Sequence, residues 1–322
     1  MAISSASLAY RRSALMTATK ITSKPPSPEV LQARDDFQAF CKIMGKAPAK
    51  HMMEWHNELC TGEDSECLLG IGGPNTSILA PRGSAKSTVL GLFAAWMIGR
   101  HAAAKKMLRI LYIAYMVDIS RAKSATIKGI LSSAKYREIF PMVRLSKIKR
   151  SDEYWSIDYE FAGIDTAGEE AFTIACGGLK GAITSKRSQL VLIDDPIKSA
   201  AAINNPDIRR EMEATWSNVI APTMFQGARA ICLGTRFHFD DIHSTLFVPK
   251  NNWRQIVQKA VITDEEGRSR SYWPEFWSMK YLNERKAEDR VAFAYQYLNT
   301  AVQSSDVGIS PELLINCLLY TS

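Results

Sequence analysis

Two short stretches of this sequence carry residue types that could handle a phosphate and a metal ion together. The first is Ile78 to Thr88, Ile-Leu-Ala-Pro-Arg-Gly-Ser-Ala-Lys-Ser-Thr, an apolar run that breaks into a small-residue loop ending in Lys-Ser-Thr. Its spacing follows the phosphate-binding loop G-x-x-x-x-G-K-[ST], with Ala80 and Ala85 standing at the two glycine anchors. On this reading Arg82, Gly83, Ser84, Ala85, Lys86, Ser87 and Thr88 cradle the phosphates of ATP, because backbone N–H groups in such a loop turn inward around an anion. Lys86 supplies a point charge for the β- and γ-phosphates and the Ser87 hydroxyl holds Mg2+. The helix that opens at Ser87 offers its N-terminal amides to the same anion. The second stretch is Gln189-Leu-Val-Leu-Ile-Asp-Asp-Pro196, an apolar run ending in two acids. A buried strand of this kind emerges beside the phosphate loop, so Asp194 is the candidate for the Mg2+ side and Asp195 for the general base that poises the attacking water. Taken singly, each stretch also fits a plain strand–turn–helix or a strand-to-helix cap.

A third strand, Ala228 to Leu233, ends in Gly-Thr-Arg236. A hydroxyl at such a tip can sense whether a γ-phosphate is present and pass that to a loop, which makes Thr235 the candidate sensor. His238, between two phenylalanines, reads as a packing or capping residue.

These residues require a parallel sheet with helices between its strands. The expected helices span Glu29 to Met44, Ala49 to Cys60, Ser87 to Gly99, Asp118 to Ser133 and Pro206 to Val219, from apolar spacing near 3.6. Met107 to Tyr115 is apolar throughout, as a central parallel strand is. Short strands are expected at 154–157, 159–162 and 171–175, and Gly177 to Gly181 reads as a flexible basic loop. The β-α-β alternation predicts an α/β fold with helices on both faces of the sheet. Trp55 and His56 read first as core, and otherwise as part of a pocket for the nucleotide base.

The chain has 322 residues and a net charge of +7, a basic balance that permits a polyanionic partner without demanding one. The cysteines at 41, 60, 67, 176, 232 and 317 form no C-x-x-C pair, which argues against a zinc site or a disulfide framework. The longest apolar stretch, Val89 to Ile98, is about half of the ~20 residues a membrane span needs. Residues 1–28 read as a disordered basic arm closed by Lys24-Pro-Pro-Ser-Pro28.

Several blocks in register resemble the large terminase subunit of tailed bacteriophages, the motor that pumps DNA into a preformed capsid. They are Leu79 to Thr88, Tyr136-Arg-Glu-Ile-Phe-Pro141, Leu190 to Pro196, Leu233-Gly-Thr-Arg-Phe-His-Phe-Asp-Asp241, Tyr272-Trp-Pro-Glu275 and Phe293-Ala-Tyr-Gln-Tyr-Leu-Asn299. The resemblance implies an additional-strand (ASCE-type) P-loop ATPase domain over 29–262, with a helical N-terminal segment, and a linker subdomain over 263–303. It implies that Lys86 and Ser87 bind phosphate and Mg2+, that Asp194 is the Walker B acid, that Thr235 lies in the coupling motif and that Arg82 touches the γ-phosphate. Many members carry Glu where this chain has Asp195, one methylene shorter. The implied partners are double-stranded DNA, a portal protein and a small terminase subunit, with a homo-oligomeric ring on the procapsid in the host cytoplasm. The family's C-terminal nuclease would begin near residue 304, so 304–322 are expected to be its truncated start and the chain is expected not to cut DNA. Sequence-blind phosphate contacts are expected from Lys180, Lys186 and Arg187 before the Walker B strand, and from Lys147, Lys149 and Arg150 in another loop. The rival readings are a generic P-loop helicase-like ATPase and an inactive P-loop protein that binds DNA or capsid.

Overall fold

The computed structural model describes residues 25–62, 71–180 and 186–300. Most of the expected basic arm, residues 181–185 of the glycine-rich loop and the expected nuclease start lie outside the described residues. The main-sheet strands are β1 (Asn75–Leu79), β2 (Ile110–Ala114), β3 (Leu145–Arg150), β4 (Tyr154–Ile157), β5 (Ile174–Gly178), β6 (Ser188–Asp194), β7 (Met224–Gly234) and β8 (Trp253–Val257). They form one 8-stranded sheet in the order β3-β4-β5-β2-β6-β7-β1-β8. From β5 to β8 every pairing is parallel, and β4 and β3 add an antiparallel edge. Strand β7 separates β1, which leads into the small-residue loop, from β6, which ends in the paired acids, and this is the additional-strand arrangement.

The parallel strands bury both faces, and side-chain alternation divides them between two cores. Ile78, Ile110, Tyr112, Leu190, Leu192, Ile231 and Leu233 pack on one side. There they meet α1 (Pro28–Asp35), α2 (Phe37–Ile43), α3 (Met53–Leu59), α4 (Lys86–Ala103), α5 (Val117–Ser132) and α6 (Ala134–Ile139). Leu111, Ile113, Val191, Ile193, Ala230 and Cys232 face the other way, onto α8 (Pro206–Thr215), Trp216, Phe247 and Trp253. The short α7 (Ala200–Ile203) precedes α8, and α9 (Ile242–Thr245) follows β7. A smaller core of Ala260, Tyr272, Trp277, Leu282 and Phe293 joins the hairpin β9 (Val261–Thr263) and β10 (Ser269–Ser271) to α10 (Met279–Glu288) and α11 (Arg290–Gln296).

Several local expectations need correction. The helix expected over Glu29 to Met44 breaks at Asp36, whose extended backbone lets its carboxylate accept from the Gln38 and Ala39 amides and cap α2. Residues 159–162 form a turn, closed by the Ala162 amide on the Asp158 carbonyl, in place of a strand. Strand β5 begins later than expected and takes in Gly177 and Gly178. A side chain on Gly178 would come within 2.7 Å of the Val117 amide, so glycine lets the start of α5 approach the sheet. Lys147, Lys149 and Arg150 lie on edge strand β3 and not in a loop.

Candidate active site

Because β1, β6 and β7 run parallel, their C-terminal ends emerge together, where open α/β sheets place their ligands. Register fixes the alignment: Leu79 pairs with Gly234 and Asp194 with Leu233, so the phosphate loop, the paired acids and the Gly-Thr-Arg segment leave the sheet at one level.

The loop backbone has the left-handed turns that aim amides inward, at Gly83 (φ 84°) and Ala85 (φ 63°, ψ 22°). Ala85 therefore adopts the conformation glycine takes without cost, and its methyl group raises the energy by about 1–2 kcal/mol. Ala80 needs no glycine; it is buried and its amide donates to the Gly234 carbonyl at 3.0 Å. Ser84 folds its hydroxyl onto the Pro81 carbonyl at 2.7 Å, which closes the loop from within.

Lys86 is 5% exposed and its ammonium donates to Thr235 Oγ1 at 2.8 Å, Pro81 O at 3.1 Å and Ala80 O at 3.2 Å. Asp195 stands 3.8 Å away. Burial pulls the lysine below its ordinary pKa, opposed by Asp195 and Asp194. Thr235 in turn donates to Ala80 O at 3.2 Å, so the candidate sensor is tied to the loop through both of its hydrogen bonds.

The Ser87 hydroxyl donates to Asp194 Oδ1 at 2.9 Å and the Tyr112 hydroxyl to Oδ2 at 3.0 Å. Asp194 is buried, and that burial, together with the Asp195 charge, lifts its carboxyl above the usual range. Asp195 has a left-handed backbone (φ 43°), tolerable for aspartate, that turns its side chain out of the strand direction; 48% of that side chain is exposed. Two adjacent acids thus have different surroundings, one sealed among hydroxyls and one facing solvent.

Arg82 and Thr88 are exposed, and the Arg82 amide donates to the Gln296 carbonyl at the end of α11. Asp241 is fully buried and accepts from the Phe237, His238 and His243 amides, which holds the loop after Thr235. His238 accepts from the Asp240 amide and stacks on Phe239, a capping and packing role. Trp55 and His56 are buried in the core, His56 against Phe37 at 4.6 Å, and neither lines the cavity at the sheet edge.

That cavity, about 230 Å³, is walled by Arg82, Ser87, Asp194, Asp195 and Thr235. It is also walled by Lys123 and Lys198, which the motifs do not include. Tyr112, which bonds Asp194, also lies outside the motifs. Its signal is a hydroxyl in an otherwise apolar central strand. For Lys123 it is a lysine one helical turn from Ile119 and Ile127, at the border of the buried face formed by Ser120, Ser124, Ile127 and Leu131. Of the basic residues singled out for DNA, Lys149 donates to Ala171 O, Lys186 pairs with Glu170, and Arg187 lies over the Phe225 ring. Lys147, Arg150 and Lys180 remain exposed.

No protein-family model matches the sequence, and no curated protein matches it. Among solved structures, the large terminase ATPase domain of Thermus phage P74-26 aligns at TM-score 0.49 and 14% identity, covering 86% of this chain and 99% of that one. The fold neighbours of this chain are phage large terminases. The terminase of bacteriophage HK97 aligns at TM-score 0.40 and 15% identity over 71% of this chain and 47% of that protein. A large terminase from another thermophilic bacteriophage aligns at TM-score 0.40 and 11% identity, over 86% of this chain and 53% of its own length. That protein has also been solved with ATP-gamma-S and with ADP. The chain spans about half the length of these last two terminases. Among the described residues no helix is long and apolar enough to cross a membrane.

Proposed function

We propose that this chain is the ATPase motor part of a terminase-like machine that drives double-stranded DNA into a procapsid. The observation that carries the reading is the convergence of Lys86, Ser87, Asp194, Asp195 and Thr235, from separate segments, on one sheet edge. Lys86 is held beneath the loop by the oxygens of Ala80, Pro81 and Thr235, partners that a polyphosphate would replace when it takes the lysine's charge. Ser87 and Asp194 offer hard oxygen donors, and among the described residues no cluster of three or more His, Cys, Asp and Glu side chains could hold an ion. A hydroxyl plus one carboxylate, completed by water and phosphate, suits Mg2+. When bound, that ion neutralises charge shared by the β- and γ-phosphates. Exposed Asp195 takes the proton of the attacking water as general base. Thr235 links Lys86 to the Gly-Thr-Arg segment, whose Arg236 amide donates to Asn299 Oδ1, a route from the nucleotide to the C-terminal elements.

Of the six basic residues singled out for DNA, Lys147, Arg150 and Lys180 are the exposed ones and would meet DNA phosphates in contacts blind to sequence. A ring of copies, a portal protein and a small terminase subunit would complete the motor in the host cytoplasm. ATP hydrolysis by the purified chain should rise when double-stranded DNA and portal protein are added. No hydrolysis under any condition would overturn the enzymatic reading, and hydrolysis indifferent to both additions would favour a generic P-loop ATPase.

A further inference from the structure

We propose that Lys123 is a phosphate-binding residue of this site, reaching the γ-phosphate of ATP from α5, across the cavity from the phosphate loop. The inference rests on the ATP-site reading above and adds a contact that neither the loop nor the Walker B strand provides.

Helix α5 carries three basic residues, Arg121, Lys123 and Lys128. Two are committed to surface carboxylates: Arg121 pairs with Glu153 and Asp118, and Lys128 with Asp152. Lys123 lies on another face, half-buried, and forms no hydrogen bond or ion pair among the described residues. It lines the cavity that holds Ser87, Asp194, Asp195 and Thr235, and also an adjoining cavity of about 350 Å³ between α4 and α5. Ser87 and Lys123 are the two residues common to both, so the lysine stands at the neck beside the Mg2+-side hydroxyl. The carboxylates lining either cavity are Asp194 and Asp195, and the charge of Lys123 helps to hold the Asp194 carboxyl down against its burial.

Arg82 and Lys198 face the same cavity from exposed loop positions. Lys123 differs in being carried by a helix packed on the sheet, with Ile127 and Leu131 buried beneath it. A side chain on such an element is placed more narrowly than one on a loop. Its ammonium donates to an oxygen of the γ-phosphate, a charge-assisted bond that ADP cannot offer. The lysine should therefore distinguish the nucleotide before hydrolysis from the one after it.

The test is equilibrium binding of ATP-gamma-S and of ADP, each with Mg2+, to the full chain and to Lys123→Gln, Lys123→Arg and Lys128→Gln. Loss of one charged hydrogen bond predicts ATP-gamma-S binding weakened by about tenfold or more in Lys123→Gln, with ADP within about twofold. The retained ADP affinity shows that the variant is folded. Lys123→Arg should recover part of the loss, and Lys128→Gln should match the unsubstituted chain. Unchanged ATP-gamma-S binding in Lys123→Gln would overturn the proposal, as would equal weakening of both nucleotides. Failure of the unsubstituted chain to bind either nucleotide would instead overturn the ATP-site reading, and the proposal with it.

Discussion

Two buried charge clusters lie at opposite ends of the parallel strands, and they are built on different rules. Near the start of β1 and β7, Arg229 is fully buried and its guanidinium donates to the carbonyls of Glu58, Leu59, Thr61 and Pro74, to Thr76 Oγ1 and to Glu58 Oε1. Arg254 closes the other side of Glu58 at 2.9 Å. Burial draws the guanidinium down to about 10, yet its donors are spread over a set of acceptors that hold the chain crossing from α3 to β1. At the strand ends, by contrast, Lys86 shares its space with two neighbouring acids, one of them half-exposed. A saturated network holds structure, whereas a cluster of adjacent like charges left open to solvent is poised to take a ligand.

Substitutions should separate the two clusters, and the largest effect is expected at Lys86. Lys86→Ala should abolish ATP binding in a titration without lowering the thermal midpoint, because Asp194 keeps its hydroxyl partners and Asp195 keeps water. A fall in midpoint as large as that of an Arg229 variant would show that both clusters hold structure alike. Next comes Asp195→Asn, which should bind ATP normally while turnover falls by about 10²–10⁴-fold, the usual contribution of a general base. Normal turnover would move the base elsewhere, with Glu211 and Glu213 on α8 the next to examine.

Arg229→Ala should act in the opposite sense and cost about 3–5 kcal/mol in chemical denaturation, since it leaves several buried carbonyls without their donor and Glu58 with only Arg254 and the Thr61 and Thr76 hydroxyls as partners. A loss under about 1 kcal/mol would mean that the cluster relaxes to water. Thr235→Val should reduce DNA packaging much more than ATPase rate, because the strand survives and the hydroxyl joining Lys86 to Ala80 does not. Equal losses in both assays would make Thr235 a catalytic or structural residue only. The smallest effect is expected from Ala85→Gly, which should stabilise the chain by no more than about 1 kcal/mol as relief of the left-handed alanine is offset by glycine's unfolded-state entropy. Destabilisation on denaturant titration would show that the methyl group packs favourably.

Much of the α/β order was legible because apolar runs and helical spacing are local properties. Residues 190–194 read as a buried strand ending in an acid whatever surrounds them, and 86–88 read as the opening of a helix. The misreadings had local causes as well. Asp36 interrupts a helical pattern because a carboxylate can cap the next helix more favourably than it can continue the first. The polar stretch 145–150 reads as a loop because an exposed edge strand carries no apolar alternation to mark it, and Ile148 is 91% exposed.

By itself the sequence determined which groups could do chemistry: a lysine and a hydroxyl at the start of a helix, paired acids at the end of a strand, a threonine at the end of another. It could not determine their neighbours. That Tyr112 bonds Asp194 and Lys86 rests on Thr235 follows from strand order and register, and that Lys123 lines the cavity follows from how its helix packs on the sheet. Inserting β7 between β1 and β6 brings residues far apart in sequence within hydrogen-bonding distance. Such contacts depend on which strands lie side by side, and backbone pairing across a whole sheet is a property of the fold that no local stretch of residues encodes.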